Sequence, residues 1–386
     1  MTGPPEVPPP EPEPGAIAPP AVPVAPLVPA GAGPLVPAGA PVAKPAADPT
    51  VPSARRLIGA SFDLLSGASD DMRQASFYVG AIVFGTAGGY AIAAWAFEVA
   101  GTHSTVREIA DAMAGPLGGW LGLLGMLALT GIFVASIESR AIAVSLLGAR
   151  STGRPLGVRA ALARSRATFW KIVLGAVLVA IPVGLAQGLT SLAIGAAIPN
   201  AAELGLGILA VVGALIGAPF AYVLTGIVLG DVDPFEAIRR SFRVFGARKG
   251  AAVLVALFES LAQLLILFGV SAGLDIALRL FSGLGLSVDS GLAGILLATL
   301  MIAAGVFAAG TLIFTVSALS IAPQVVMFVA LTHATFGLDH VRPGGDRDPA
   351  VRRRGQPRFR RFTRPMLLGF AGSVIGLVGA LTVLPR

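Results

Sequence analysis

The stretch DPFEAIRRSFRVFGARKG, residues 233–250, decides the architecture because it places five cations and two acids between two long apolar runs. Asp233, Pro234 and Glu236 form a helix start: the aspartate can accept from the first amides, and proline at the first helical position loses no needed donor. After it, phenylalanine and isoleucine recur on one face at helical spacing, and Glu and Arg occupy the other. This division predicts a short helix lying flat in the headgroup region, with the aromatic rings down and the guanidinium groups toward lipid phosphates.

The composition makes a lipid bilayer the natural solvent of this chain. Of its 386 residues 55% are hydrophobic and 13% are charged, with a mean hydropathy of +0.81. One soluble core could not hide that much apolar surface. The net charge of +7 comes mainly from arginine, which in a membrane protein indicates cytoplasmic loops and anionic headgroups, and not nucleic acid. The chain has no cysteine, which excludes disulfides, thiolate catalysis and cysteine-ligated metals.

Seven apolar runs are long enough to cross a hydrocarbon core of ~30 Å. They lie near 76–97, 118–137, 172–193, 204–229, 250–272, 291–319 and 366–384. The connections alternate between basic and neutral or acidic, so the positive-inside rule predicts a cytoplasmic N-terminus and an external C-terminus in the cell inner (plasma) membrane. The run 291–332 is long enough for two helices, but two crossings would place the arginines of 342–364 outside. We therefore expect one crossing, with the helix continuing past Pro323.

The ends of the chain differ in composition from the apolar middle. The first 52 residues hold 18 of the 30 prolines and almost no large apolar side chains, which predicts a disordered, cytoplasmic Pro/Ala-rich tail. Such a tail is a solvated tether or a ligand for protein partners that recognise proline. The remaining domains are predicted as a six-span membrane domain at 53–340, a basic cytoplasmic linker at 341–364 and an additional transmembrane helix at 365–386.

The opening motif is repeated. AIRRSF at 237–242 aligns with ALARSR at 161–166 and with LIGASF at 57–62, so that one serine of each copy shares a position. Each copy precedes a pair of apolar runs. The sequence therefore predicts an all-α, polytopic helical membrane protein, in which three units of interfacial helix plus hairpin form a six-span core and a seventh C-terminal span is added. The units cover about 53–149, 155–230 and 233–340.

Three stretches carry a resemblance to a known family: ALARSRATFWKIV at 161–173, DPFEAIRRSFRVF at 233–245 and APQVVMFVALT at 322–332. They resemble the membrane domain attached to some bacterial glycerophosphodiester phosphodiesterases, which also occurs as stand-alone proteins. The resemblance covers roughly 53–340. A fused catalytic barrel needs about 250 residues, and fewer than 50 follow Asp339. The resemblance thus implies a stand-alone membrane domain without the phosphodiesterase domain.

One intramembrane carboxylate and a set of basic side chains are the candidate functional residues. Glu259 lies about nine residues into the fifth run, roughly 14 Å below the interface, where it could bind a proton or ion or lock helices together. Its candidate partners are Gln187, Gln324 and the pair Glu138 and Arg140, the last two being expected to snorkel to the headgroups. The residues expected to contact anionic lipid are Arg159, Arg164, Arg166, Arg239, Arg240 and Arg243; they could equally serve only to set topology.

These observations favour a non-enzymatic membrane protein that engages anionic lipid headgroups and assists lipid handling or membrane organisation. The alternative is a transporter or permease component with Glu259 on a central pathway. No convergent acid, base and nucleophile is visible, and we expect no metal and no cofactor. His333 and His340 are seven residues apart and could share a helical face, with Asp339 beside His340, but a metal site needs a third ligand at tighter spacing.

Overall fold

The computed structural model describes residues 54–100, 116–152, 156–197, 202–283, 291–336 and 360–383. The predicted tail at 1–52 and almost all of the predicted linker at 341–364 lie outside these ranges. Within them the chain is helical and contains no strand, which confirms the predicted all-α class.

The described residues form ten α-helices. These are α1 Ala54–Gly67, α2 Ser69–Ala100, α3 Pro116–Ser151, α4 Val158–Ala197, α5 Ala202–Gly217, α6 Val223–Gly230, α7 Pro234–Ala247, α8 Lys249–Gly283, α9 Gly291–Phe336 and α10 Arg360–Val383.

Five segments of the described chain are long and apolar enough to cross a membrane. They are Ser69–Trp95, Leu121–Ser151, Val158–Ile194, Gly207–Gly230 and Gly294–Thr332. Met366–Gly376 of α10 is a shorter apolar segment. The protein is therefore a multi-pass membrane protein by the length and composition of its helices. The predicted runs at 250–272 and 366–384 lie in α8 and α10 but are not among the five, so the count of seven spans stays a prediction.

The longest helix agrees with the expectation drawn from charge. Gly291–Phe336 is one continuous helix that contains Pro323, with no turn that would return the chain. The prediction that this helix continues past Pro323 is confirmed.

The predicted run at 204–229, by contrast, is interrupted. Helix α5 ends at Gly217, a 3-10 turn follows at Ala218–Phe220, and α6 begins at Val223. Pro219 causes the break, because it has no N–H to donate and its ring clashes with the preceding turn. The hydroxyl of Ser241 on α7 satisfies the groups that the break frees: it donates to the Pro219 carbonyl over 2.6 Å and accepts from the Tyr222 N–H over 3.2 Å.

The three aligned motifs differ in local structure. The first and third are the separate short helices α1 and α7, and the Asp233 carboxylate caps α7 by accepting from the Glu236 N–H over 2.7 Å. The second motif was expected to form a separate helix too. It is instead the beginning of the 40-residue helix α4. The reason is visible in the sequence, since ALARSRATFWKIV contains no glycine or proline that would end a helix.

Small residues bring α10 against α2. A Cβ atom added at Gly89 would lie 2.9 Å from the backbone carbonyl carbon and oxygen of Gly372, and one added at Gly376 would lie 2.8 Å from the Gly89 carbonyl oxygen. The backbones therefore touch where side chains would keep them apart. Gly372 and Gly376, four residues apart on α10, thus permit its close contact with α2.

Candidate functional site

A polar cluster lies between the helices α3, α8 and α9 and is called here the Glu259 cluster. The Glu259 carboxylate of α8 forms an ion pair with Arg140 of α3, with 3.0 Å between Nη1 and Oε1. Its other oxygen accepts a hydrogen bond of 2.8 Å from the side-chain amide of Gln324 on α9. Both carboxylate oxygens thus have a partner on a neighbouring helix. Of the candidate partners, the structure pairs Glu259 with Arg140 and Gln324.

The sequence places these three groups at one level through helix geometry. Glu259 is ten residues beyond the first residue of α8, or about 15 Å along its axis. Gln324 follows directly after Pro323, twelve residues before the end of α9, and Arg140 lies eleven residues before the end of α3, or about 17 Å. The three groups meet well inside their helices, where Arg140 pairs with Glu259. That Arg140 lies at the level of the headgroups stays a prediction.

The Glu259 cluster borders a cavity of about 730 Å³ between α3, α4, α5, α6 and α8. Its walls are mostly aliphatic and aromatic side chains, among them Leu129, Phe133, Val179 and Leu224. The remaining candidate partner Gln187 lines the same cavity but is placed farther along α4. The side chains of Arg140 and Glu259 keep 35% and 22% of their surface exposed, so the ion pair faces the cavity.

A second polar cluster, the Tyr78 cluster, ties α2, α3 and α4 together. Arg166 donates from Nη2 to the Tyr78 hydroxyl over 2.7 Å and from Nε to Glu138 Oε1 over 3.4 Å. The Tyr78 hydroxyl lies 3.5 Å from Glu138 Oε2. Glu138 is only 6% exposed, so the expectation that it snorkels to the headgroups is wrong. Arg166 points inward because an unpaired buried carboxylate is strongly destabilising, whereas a lipid phosphate at the surface is solvated without the arginine.

Sequence reasoning missed Tyr78, although a signal was present. The residue is one of three tyrosines and lies in an otherwise apolar run. A tyrosine in such a run usually has a partner for its hydroxyl, and that partner marks a polar contact between helices.

The structure removes Arg164 from the predicted lipid contacts. This side chain is 2% exposed, and its Nε donates to the Val228 carbonyl over 2.7 Å, with Nη2 bonded to the same oxygen. Val228 belongs to the last turn of α6, where the carbonyl oxygens have no N–H donor within the helix. Arg164 therefore closes a helix end inside the protein, where no headgroup reaches it.

The other predicted lipid contacts lie at or near the surface. Arg159 is exposed at the start of α4, and Arg239 and Arg243 are exposed on α7. Arg240 is half-buried and pairs with Glu236 over 3.0 Å. Arg239 also reaches Glu236, over 3.3 Å.

No metal centre is found in the part of the chain that the structure describes, where no three His, Asp or Glu residues cluster. His103 and His340 lie outside the described residues. No family model, no curated protein and no solved structure matches the chain.

Proposed function

We propose that this protein is a multi-pass protein of the inner membrane that engages anionic lipid headgroups on the cytoplasmic side through α7 and the start of α4. The observation that carries the proposal is the outward face of α7. There two phenylalanines and two arginines stand side by side in solvent-accessible positions.

Helix α7 has a buried face and an outward face, and these differ from the apolar and charged faces that its sequence pattern indicates. One face is buried against the rest of the protein and consists of Pro234, Ala237, Ser241 and Val244. The outward face presents Phe235, 65% exposed, and Phe242, 45% exposed. Arg239 and Arg243 adjoin them on the same side, at helical spacings of three and four residues. This arrangement suits a lipid–water interface, where the rings enter the acyl region and the guanidinium groups stay at the phosphates.

The outward face of α7 is expected to contribute several kcal/mol to the free energy of lipid binding. Burial of a phenylalanine side chain contributes about 1.5–3 kcal/mol. Each arginine near an anionic surface adds about 1 kcal/mol. Because the buried face fixes α7 on the protein, little orientational freedom is lost when lipid binds.

The first motif supports an equivalent role for α1. Ile58 and Phe62, one turn apart, are 45% and 54% exposed, whereas Leu57 is buried. The serines at the shared position of the three motifs, Ser61, Ser165 and Ser241, are all buried. These similarities support the three-unit architecture with six core spans and a seventh span, in which each unit begins at the cytoplasmic surface. The resemblance to the phosphodiesterase membrane domain belongs to the same proposal.

Binding of lipid to the purified full chain in mild detergent tests this function. We expect the variant Arg239→Gln/Arg243→Gln to bind a phosphatidylglycerol probe about thirtyfold more weakly, since two contacts of about 1 kcal/mol are lost. Binding of phosphatidylcholine should not change.

The matched control removes the same charge elsewhere. Arg73→Gln/Arg279→Gln takes two exposed arginines from α2 and α8 and should leave phosphatidylglycerol binding as it is. Equal loss in both double variants, or none in either, would mean that the α7 arginines act on topology alone.

A transporter is the second candidate, because the Glu259–Arg140 ion pair borders a cavity inside the membrane. Charged groups that face an intramembrane cavity are common on substrate pathways. If Glu259→Gln leaves liposome flux of every tested solute unchanged, this candidate loses its specific support.

A further inference from the structure

We propose that the cavity beside the Glu259 cluster is a binding site for an amphiphile with a fatty acyl chain and an oxyanion head. The inference concerns a site inside the helices and does not depend on the lipid contacts proposed for α7.

The length of the cavity favours an extended hydrocarbon chain. Its wall on α3 runs from Leu129 to Arg140, which is eleven residues or about 17 Å along the helix axis. An acyl chain can lie extended along a wall of this length with its head at the Arg140 end.

The walls are apolar along this length. Leu129 and Phe133 are 66% and 56% exposed although they border the cavity, and Val179, Val183 and Leu224 continue the surface on the facing helices. A pocket of several hundred cubic ångströms with mostly hydrophobic walls and a few convergent polar groups is the usual form of a small-ligand site. Water forms few hydrogen bonds with such walls, whereas an acyl chain buries its apolar surface against them.

Polarity increases at the inner end, where Arg140 is the innermost cavity residue of α3. Both oxygens of Glu259 are already taken, by Arg140 and by Gln324. Arg140 carries five N–H donors, and within the described residues the structure shows one ion pair for it, while 35% of its side chain stays exposed. Ser260 and Gln263 add a hydroxyl and a side-chain amide on α8, each of which can donate and accept.

The unfilled capacity for charged hydrogen bonds at this end therefore belongs to the donors of Arg140. A donor surplus selects an acceptor, and Arg favours carboxylate and phosphate oxygens. Because Glu259 balances the charge of Arg140, a monoanion suits the site better than a dianion. The head is thus a carboxylate or a singly charged phosphate ester, supplied by a free fatty acid or by a lysophospholipid.

Photocrosslinking tests the site with a diazirine-bearing palmitic acid on the full chain in detergent, with the attached peptides identified by mass spectrometry. We expect labelling within 129–140 or 172–187 that unlabelled palmitate or lysophosphatidic acid suppresses. Which of the two competes better identifies the source of the head. Suppression by hexadecanol at the same concentration would overturn the oxyanion part of the proposal.

Two sets of variants separate the cavity from the lipid-facing surface. Ala176→Trp fills the cavity and should abolish the labelling, whereas Val177→Trp, on the same helix but not in the cavity wall, should retain it. Arg140→Gln/Glu259→Gln removes the charges together and should weaken competition by palmitate roughly tenfold or more, the value of a hydrogen bond to a charged group. Labelling that persists in Ala176→Trp, or that palmitate does not suppress, would show contact with bulk detergent or lipid and overturn the proposal.

Discussion

Removal of Arg166 is expected to destabilise the protein through the carboxylate that it leaves behind. Arg166 contacts both other members of the Tyr78 cluster, and Glu138 is 6% exposed. In Arg166→Gln the carboxylate keeps only the Tyr78 hydroxyl, which lies 3.5 Å away. That distance is long for a hydrogen bond between oxygens.

The expected loss of stability depends on whether the lost hydrogen bonds or the unpaired buried charge of Glu138 costs more. An interhelical hydrogen bond in a membrane is worth about 0.6 kcal/mol on average. Breaking a buried ion pair on one side costs about 3–5 kcal/mol, because a buried charge is left unpaired. The Arg166 side chain is 29% exposed, so solvent screens part of this cost and we expect about 3 kcal/mol, the low end. At roughly 2–4 °C per kcal/mol, Tm should fall by roughly 6–12 °C.

Thermal unfolding of the purified variants in one detergent measures this loss. The double variant Glu138→Gln/Arg166→Gln removes both charges and should recover at least half of the stability, which a double-mutant cycle would report as coupling. If Arg166→Gln unfolds at the temperature of the unmodified protein, or if the double variant is less stable than the single one, the reasoning about the unpaired carboxylate fails.

Two further substitutions test the packing, each against a matched control in thermal unfolding. Gly89→Ala should destabilise by about 1–3 kcal/mol, because the added Cβ meets the Gly372 backbone at 2.9 Å; Gly184→Ala, with nothing within 4 Å, should stabilise by up to about 1 kcal/mol. A loss in both, or in neither, would contradict the close approach of α2 and α10. Ser241→Ala should cost about 1–3 kcal/mol, since it leaves two buried backbone groups unsatisfied at the break before α6, whereas Ser66→Ala removes an exposed bond and should change little. Equal effects of the two serine variants would refute the capping role.

Local signals in the sequence predict the helices well. The Asp-Pro-x-Glu start of α7 and the unbroken course of α9 through Pro323 follow from capping geometry and from the charges of the connections. The break between α5 and α6 was missed, because a proline in a transmembrane helix is often tolerated. Here a serine from a different helix makes the break favourable, and no local pattern shows that contact.

The candidate site was predictable only in part. Glu259 stands out in the sequence as a carboxylate in an apolar run, and two of its candidate partners contact it. For Arg164 and Glu138, the sequence does not show whether the side chain lies at the surface or in the interior of the protein. Whether a charged residue near a helix end turns inward depends on partners far away in the chain, and a one-dimensional pattern of charge does not contain them.

The central claim is that α7 lies on the cytoplasmic face of the membrane with its phenylalanines and arginines outward. The chain has no cysteine, so single cysteines report position without interference. We expect Arg243→Cys to react with a membrane-impermeant maleimide in inside-out vesicles and not in intact cells, and Arg279→Cys, exposed toward the far end of α8, to show the opposite pattern. Labelling of position 243 in intact cells would contradict both the orientation and the proposed contact with cytoplasmic lipid.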